Sequence, residues 1–264
     1  MTEISAALVK QLRDRTGAGM MDCKRALVAT GGDLEQAVKL LREKGLAEAG
    51  KRAGRETTEG KVLAHVDNGR GAMVAVGCET EPVSNNEEFL AFAERLLQSI
   101  ESAGPDAADT FEDERAQLVA KLGENIVVSG AELYEAEDAE VVSAYIHPPA
   151  QKIGVLVRAK ASPELARMVA MHIAASRPTY VSREQIPEAD VKAERAIYEK
   201  LPDVESKPEN VRPRIVEGML EKRFFAQNVL ADQPWIHDPD LTVGKALAEH
   251  DAEVRDFVRY NVGE

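Results

Sequence analysis

Apolar residues over positions 1–45 recur at three- and four-residue spacing, the period of helices with one buried face. Leu8, Val9 and Leu12 share a face behind Ser5, whose hydroxyl suits a helix cap. Thr16-Gly17-Ala18-Gly19 ends that helix, because glycine tolerates the left-handed turn that closes one. A second helix starts near Met20 and turns Cys23, Ala26 and Leu27 inward before Gly31-Gly32 stops it. Asp33 followed by Gln36 is a capping-box pattern, opening a third helix that buries Leu34, Ala37, Val38 and Leu41. Three short helices enclose so small a core that residues 1–45 are expected to serve as a docking head. The glycines at 45, 50, 54 and 60 lie among small and charged residues, which predicts a linker over 46–60.

The period then changes to two. Val62, Ala64 and Val66 alternate into Asp67-Asn68-Gly69, and Val74, Val76 and Cys78 alternate back, as in a β-hairpin. Phe89, Phe92, Ala93, Leu96, Leu97 and Ile100 return to helical spacing, with Asn85 and Glu88 at cap and third positions. The same order recurs further on: Val142, Ala144 and Ile146, the turn His147-Pro148-Pro149-Ala150, then Ile153, Val155 and Val157, then a helix capped by Ser162. Two copies of strand, turn, strand, helix predict an α+β core of two related subdomains, 61–130 and 131–181 with 221–240. Residues 111–123 between them read as a helix, followed by the short apolar run Ile126-Val127-Val128. Residues 182–220 are charged and interrupted by Pro187, Pro202, Pro208 and Pro213, so short helices without a core, forming a projecting arm, are expected there. A terminal module, 241–264, is expected as a helical piece that folds back on the body.

Charge sharpens this picture. The 264 residues hold 33 Lys plus Arg against 46 Asp plus Glu, net −13, which argues against a surface devoted to nucleic-acid phosphates. Residues 1–55 carry 11 basic and 7 acidic side chains, so the head is the basic end, read either as a solvated face or as one that steers a partner surface. Two cysteines exclude a disulfide-stapled fold. No stretch approaches the ~20 apolar residues of a membrane span, and MTEISAALVK lacks a basic lead, so a cytoplasmic protein without membrane contact is expected.

Candidate chemistry is sparse. Gly244-Lys245 lacks the upstream glycine of a phosphate loop, and Asp22 stands where a third glycine would follow Gly17 and Gly19. The five histidines include no HExxH pair. The expectation is therefore no cofactor, no bound metal and no catalytic site. Two exposed turns stand out instead: Cys78 to Ser84, which places Thr80, Glu81, Pro82 and Val83 between a strand and a helix, and the turn of His147. His172 is expected as a core histidine and Trp235 as an anchor for the tail. Met20 and Met21 are adjacent, so at least one offers a soft contact surface.

Ile4 with LVKQLRDRTGAGMMDCKRAL (8–27), GENIVV (123–128), IGVLV (153–157), MHIAASRPTYV (171–181), VEGML (216–220), QPWI (233–236) and TVGKALAEHDAEVRDFVRYNVGE (242–264) closely resemble bacterial elongation factor Ts along essentially the whole chain. The resemblance implies a guanine nucleotide exchange factor for elongation factor Tu, with GDP, GTP and Mg²⁺ held by the partner. It implies a ubiquitin-associated-like head, a two-part core, a helical arm and a terminal piece. In the family, the loop matching Thr80 to Val83 displaces Mg²⁺ by pressing on the partner's switch region. The histidine matching His147 lies near contacts that disturb the phosphate loop, and residues matching Arg13, Met20 and Met21 grip the GTPase domain. The family usually has Thr-Asp-Phe-Val where this chain has Thr80-Glu81-Pro82-Val83, so Pro82 cannot insert an aromatic ring and weaker Mg²⁺ displacement is expected. The alternative is a stabiliser that binds elongation factor Tu with weakened exchange.

Overall fold

The computed structural model describes residues 4–264. Its head is α1 (Ala6–Thr16), α2 (Met20–Ala29) and α3 (Leu34–Arg52). Ser5 Oγ accepts from the Leu8 amide and Asp33 Oδ1 from the Gln36 amide, so both predicted caps form. Gly17 ends α1 at a φ of 65°. Leu12, Cys23, Leu27 and Ala37 are wholly buried between the three helices.

The first sheet unit follows: β1 (Glu59–Asp67), β2 (Arg70–Cys78), α4 (Glu81–Ser84), α5 (Glu87–Ala103), α6 (Glu112–Leu122) and β3 (Ile126–Glu135). The three strands are antiparallel in the order β1-β2-β3. Alternation along β2 sends Ala72, Val74, Val76 and Cys78 to one face, where Phe89, Phe92, Leu96 and Ile100 of α5 cover them. The cap of α5 is Asn86, not Asn85, because the single helical turn of α4 occupies the preceding residues and Asn85 closes it. The apolar run at Ile126 continues as a full strand, since β2 offers pairing partners out to Glu135.

The expected linker is corrected at α3, which continues past Gly45 to Arg52. Gly45 is a packing residue rather than a stop: a Cβ there would sit 3.6 Å from the Ala116 carbonyl and Ala120 Cβ of α6. The approach of the two helices leaves room there for a methyl but nothing larger, and Ala49 one turn later is buried in the α5 core. That 3.6 Å is ordinary van der Waals contact. Gly45→Ala is therefore expected to stabilise by about 0.5–1 kcal/mol through helix propensity and unfolded-state entropy, read as a raised thermal midpoint. Gly45→Leu is expected to lower the midpoint by forcing α3 off α6.

The second unit comprises β4 (Val141–Ile146), β5 (Ile153–Lys160) and α7 (Pro163–Ser176), the last capped by Ser162 as predicted. After α8 (Glu188–Glu199), α9 (Pro202–Glu205), α10 (Arg212–Met219), a π-helical turn Leu220–Phe225 and α11 (Ala226–Asn228), the chain returns through β6 (Pro234–Trp235), β7 (Asp238–Thr242), α12 (Val243–Ala248) and β8 (Glu253–Asn261). The sheet order is β4-β5-β8. The terminal piece is thus not mainly helical: β8 pairs antiparallel with β5 along its length, as its β-branched and aromatic composition favours once a pairing edge exists.

The segment 182–220 also differs from expectation. Ile186, Tyr198, Val204, Val216, Leu220, Phe225 and Val229 form a buried cluster, so the segment shares a core with the residues that follow it. Pro202 and Pro213 lie in the first turns of α9 and α10, where a missing N–H costs nothing, so they start helices rather than break them. The remaining faces of the two sheets meet across Val62, Met73, Ala75, Val142 and Leu156. The α+β class read from the sequence holds. Among the described residues no helix is long and apolar enough to cross a membrane.

Candidate partner-binding surface

Thr80 to Val83 are not a loose loop. Thr80 is the extended N-cap residue of α4, and Pro82 sits in its first turn, where proline preorganises the backbone. Glu81 and Pro82 are exposed, while Val83 packs against the α5 core and Ser84 is buried with its Oγ donating to the Glu81 carbonyl at 2.8 Å. The residues before α4 are tied to the start of β3. Glu124 Oε2 accepts from the Glu79 and Thr80 amides at 3.1 and 3.0 Å, and Oε1 accepts from Thr80 Oγ1 at 2.5 Å. Glu79 reciprocates, its Oε1 accepting from the Asn125 amide at 2.6 Å, and Arg55 lies 3.4 Å from the same carboxylate. Asn125 Nδ2 donates to the Arg55 carbonyl at 2.8 Å. Beneath them burial, reinforced by the Glu124 charge, pushes the Cys78 thiol up to about 12, so it stays protonated and inert.

His147 is exposed on the β4–β5 turn, as its sequence context predicted. Its Nδ1 lies 2.9 Å from Tyr145 Oη, and the Arg167 guanidinium sits 5.9 Å over the Tyr145 ring. The turn is closed by His147 N–H donating to the Ile153 carbonyl and Gln151 N–H to the His147 carbonyl, at 2.9 and 3.2 Å.

These two turns, distant in sequence, lean on one end of β1. Glu59 is the register partner of Cys78, from which the Thr80 turn departs. Three residues on, the Val62 amide donates to the Gln151 carbonyl at 2.7 Å, and Lys152 Nζ reaches Glu59 at 3.0 Å. Lys61 Nζ donates to the Ala150 carbonyl at 3.1 Å.

Arg13, Met20 and Met21 stand on the head. The methionines are 56% and 61% exposed, so both face outward, joined by Val28 on the same helix. Arg13 is exposed on α1. The head is fastened to α6 by the Arg42–Asp113 ion pair, and Lys121 of α6, whose Nζ lies 2.7 Å from where a Gly17 Cβ would stand, pairs with Glu88 at 2.5 Å where α5 begins. The structure therefore ties the Thr80–Val83 and His147 turns to nearby residues of β1 and places Arg13, Met20 and Met21 on the first two helices of the head.

His172 is the expected core histidine. Its Nε2 lies 2.9 Å from Gln233 Oε1, Nδ1 accepts from the Ile236 amide at 3.3 Å, and Trp235 packs 5.2 Å from the ring. Burial lowers its pKa, which keeps it neutral. The motif GENIVV contains Glu124 but assigns it no role; the structure supplies one, because Gly123, with a left-handed φ of 78°, ends α6 and aims the next residue back at β2. Among the described residues, no group of three His, Cys, Asp or Glu is placed to hold a metal.

The family model described as elongation factor TS matches residues 79–264. The chain belongs to the elongation factor Ts family. Elongation factor Ts of Shewanella amazonensis is 43% identical over 265 residues, covering 99% of this chain and 91% of that relative. That of Thioalkalivibrio sulfidiphilus is 42% identical over 275 residues, with 99% and 92% covered, and one from Escherichia coli is 39% identical over 269 residues, with 100% and 93% covered. The likeness to elongation factor Ts thus extends over the head as well as the two sheet units. The protein is a translation elongation factor.

Proposed function

We propose that this chain is a guanine nucleotide exchange factor, not an enzyme with its own reaction, and that it acts on elongation factor Tu in the cytoplasm. The single observation that carries this reading is that the family match includes an exposed Glu81-Pro82 tip on a turn held by several hydrogen bonds, beside an equally fixed His147 turn. In this reading Thr80, Glu81, Pro82 and Val83 displace Mg²⁺ from the partner, and His147 disturbs its phosphate loop. Arg13, Met20 and Met21 of the head grip the GTPase domain, while the second sheet unit and the 182–220 segment reach the partner's third domain.

Two ligands of one protein couple reciprocally. A factor that binds the nucleotide-free partner better than the GDP-bound partner must weaken GDP binding by the same ratio. Mg²⁺ bridges phosphate oxygens to side chains, and phosphates rest on amides at a helix N-terminus, so small displacements of either remove much of the holding energy. A stiff turn suits this work, since a flexible one would yield instead of its target.

Stopped-flow release of fluorescent GDP from elongation factor Tu tests the reading. GDP affinity is expected to fall about 5- to 150-fold at saturating chain, the usual range of coupling between two ligands, with faster release. Unchanged release would remove exchange and leave the second reading, a stabiliser, which the ring-less Pro82 favours. Pro82→Phe is expected to speed release by about 2- to 10-fold, the scale of one added aromatic contact. His147→Ala is expected to slow it, and an unaltered rate would reduce that residue to part of a turn.

A further inference from the structure

We infer that Glu124 is a positioning residue: its carboxylate sets the orientation in which the Thr80–Val83 turn meets its target. The inference rests on the exchange reading for its functional consequence and on geometry for its physical content. A four-residue helix cannot hold itself, because nucleation fixes more dihedrals than its hydrogen bonds repay. The α4 turn also lacks a side-chain cap: the Thr80 hydroxyl, at the N-cap, is turned away to donate to Glu124. Orientation must therefore come from outside the turn, and one carboxylate supplies it through three donors on two successive residues.

The carboxylate is itself placed from two sides. Gly123 ends α6 immediately before it, and Asn125 immediately after it is held by Glu79 through its amide and by the Arg55 carbonyl through its side chain. The result is a reciprocal clasp between the end of β2 and the start of β3, closed by the segment that leaves the head. Ordering the turn before binding leaves less entropy to be lost on contact.

The donor pattern makes the role separable from charge. In a glutamine the amide oxygen takes the place of Oε2 and accepts both N–H groups, while the NH₂ takes the place of Oε1 and donates to a lone pair of Thr80 Oγ1. Aspartate keeps the charge but falls one methylene short. Position therefore requires Gln to rescue and Asp to fail, an order that a role in charge alone would reverse.

The test uses the full chain with Glu124→Ala, Glu124→Asp and Glu124→Gln. Deuterium uptake at the Glu79 and Thr80 amides is measured without partner, GDP release at saturating chain, and half-saturation from a titration of the partner. Ala and Asp are expected to speed uptake and to slow release by about tenfold, the scale of one lost hydrogen bond, with half-saturation changed little. Gln is expected to restore both. Unchanged uptake in Ala and Asp overturns the inference, as does faster uptake with unchanged release, rescue by Asp but not Gln, or a loss confined to half-saturation. Failure of the exchange reading is distinct, because it shows in the unsubstituted chain. Should Ala not fold, Asp and Gln still decide.

Discussion

Gly60→Ala is expected to remove about 3–5 kcal/mol of stability, combining backbone strain with overpacking. Gly60 has a φ of 146°, and a Cβ there would fall 2.1 Å from the Val76 carbonyl oxygen and 2.8 Å from Gly77 Cα. Both obstacles are main chain of the paired strand, so no side chain can swing aside. Relief requires breaking the Gly60–Gly77 register, one step from the Glu59–Cys78 pair where the Thr80 turn departs. Urea unfolding followed by far-ultraviolet circular dichroism measures the loss, and GDP release from elongation factor Tu should slow with it. A loss under about 1 kcal/mol, the ordinary scale of a tolerated substitution, would show that β1 shifts without harm. The same replacement at Gly45 carries the opposite sign, because there the methyl makes only ordinary van der Waals contacts at 3.6 Å.

Gln233→Leu should destabilise the second unit by about 2–3 kcal/mol, since it strands the buried His172 imidazole and two part-buried carbonyls at once. Gln233 accepts from His172 and donates through Nε2 to the Ser176 and Gln227 carbonyls at 3.1 and 2.8 Å. Leucine leaves the imidazole N–H and two carbonyls unmatched. Trp235, the single tryptophan, packs on His172 and reports the change by fluorescence. The same ring gives a pH dependence of fixed sign. Burial holds its pKa below the usual value, so above about pH 6.5 both folded and unfolded states are neutral and His172 contributes no slope. As pH falls through that value the unfolded chain takes a proton that the folded ring refuses, and stability is lost. His172→Gln should flatten this acid limb in urea midpoints measured from about pH 7.5 to 5; an unchanged slope would place the acid sensitivity on other groups.

Much of the local structure was legible because its causes are local. Ser5, Asp33 and Ser162 cap helices through bonds to residues three positions on, so their signals are short enough to read directly. The Asn68-Gly69 turn was equally plain, since both residues adopt the positive φ that the tight turn demands. Where the reading failed, the partner lay far along the chain. Gly45 punctuates a sequence but packs a helix against residues some seventy positions later. The terminal strand reads ambiguously until β5 presents an edge, and Pro202 and Pro213 look like breaks until both are seen in the first turns of helices.

The candidate surface divides in the same way. Glu81, Pro82 and His147 were recognisable as exposed turn residues, and Met20 and Met21 as a pair with an outward side. Glu124 stood inside the motif GENIVV without a legible role, because a glutamate among 46 acidic residues acquires one only when its oxygens are seen to meet two amides and a hydroxyl of another segment. Residue order by itself determined the helices, the hairpins, their α+β class and the motifs of the elongation factor Ts family, because periodicity and capping act within a few residues. Only the folded chain decided which strand closes each sheet, where Gly45 brings two helices together, and how the Thr80 and His147 turns come to share one end of β1. Those choices depend on long-range pairing and close packing, which have no local signature.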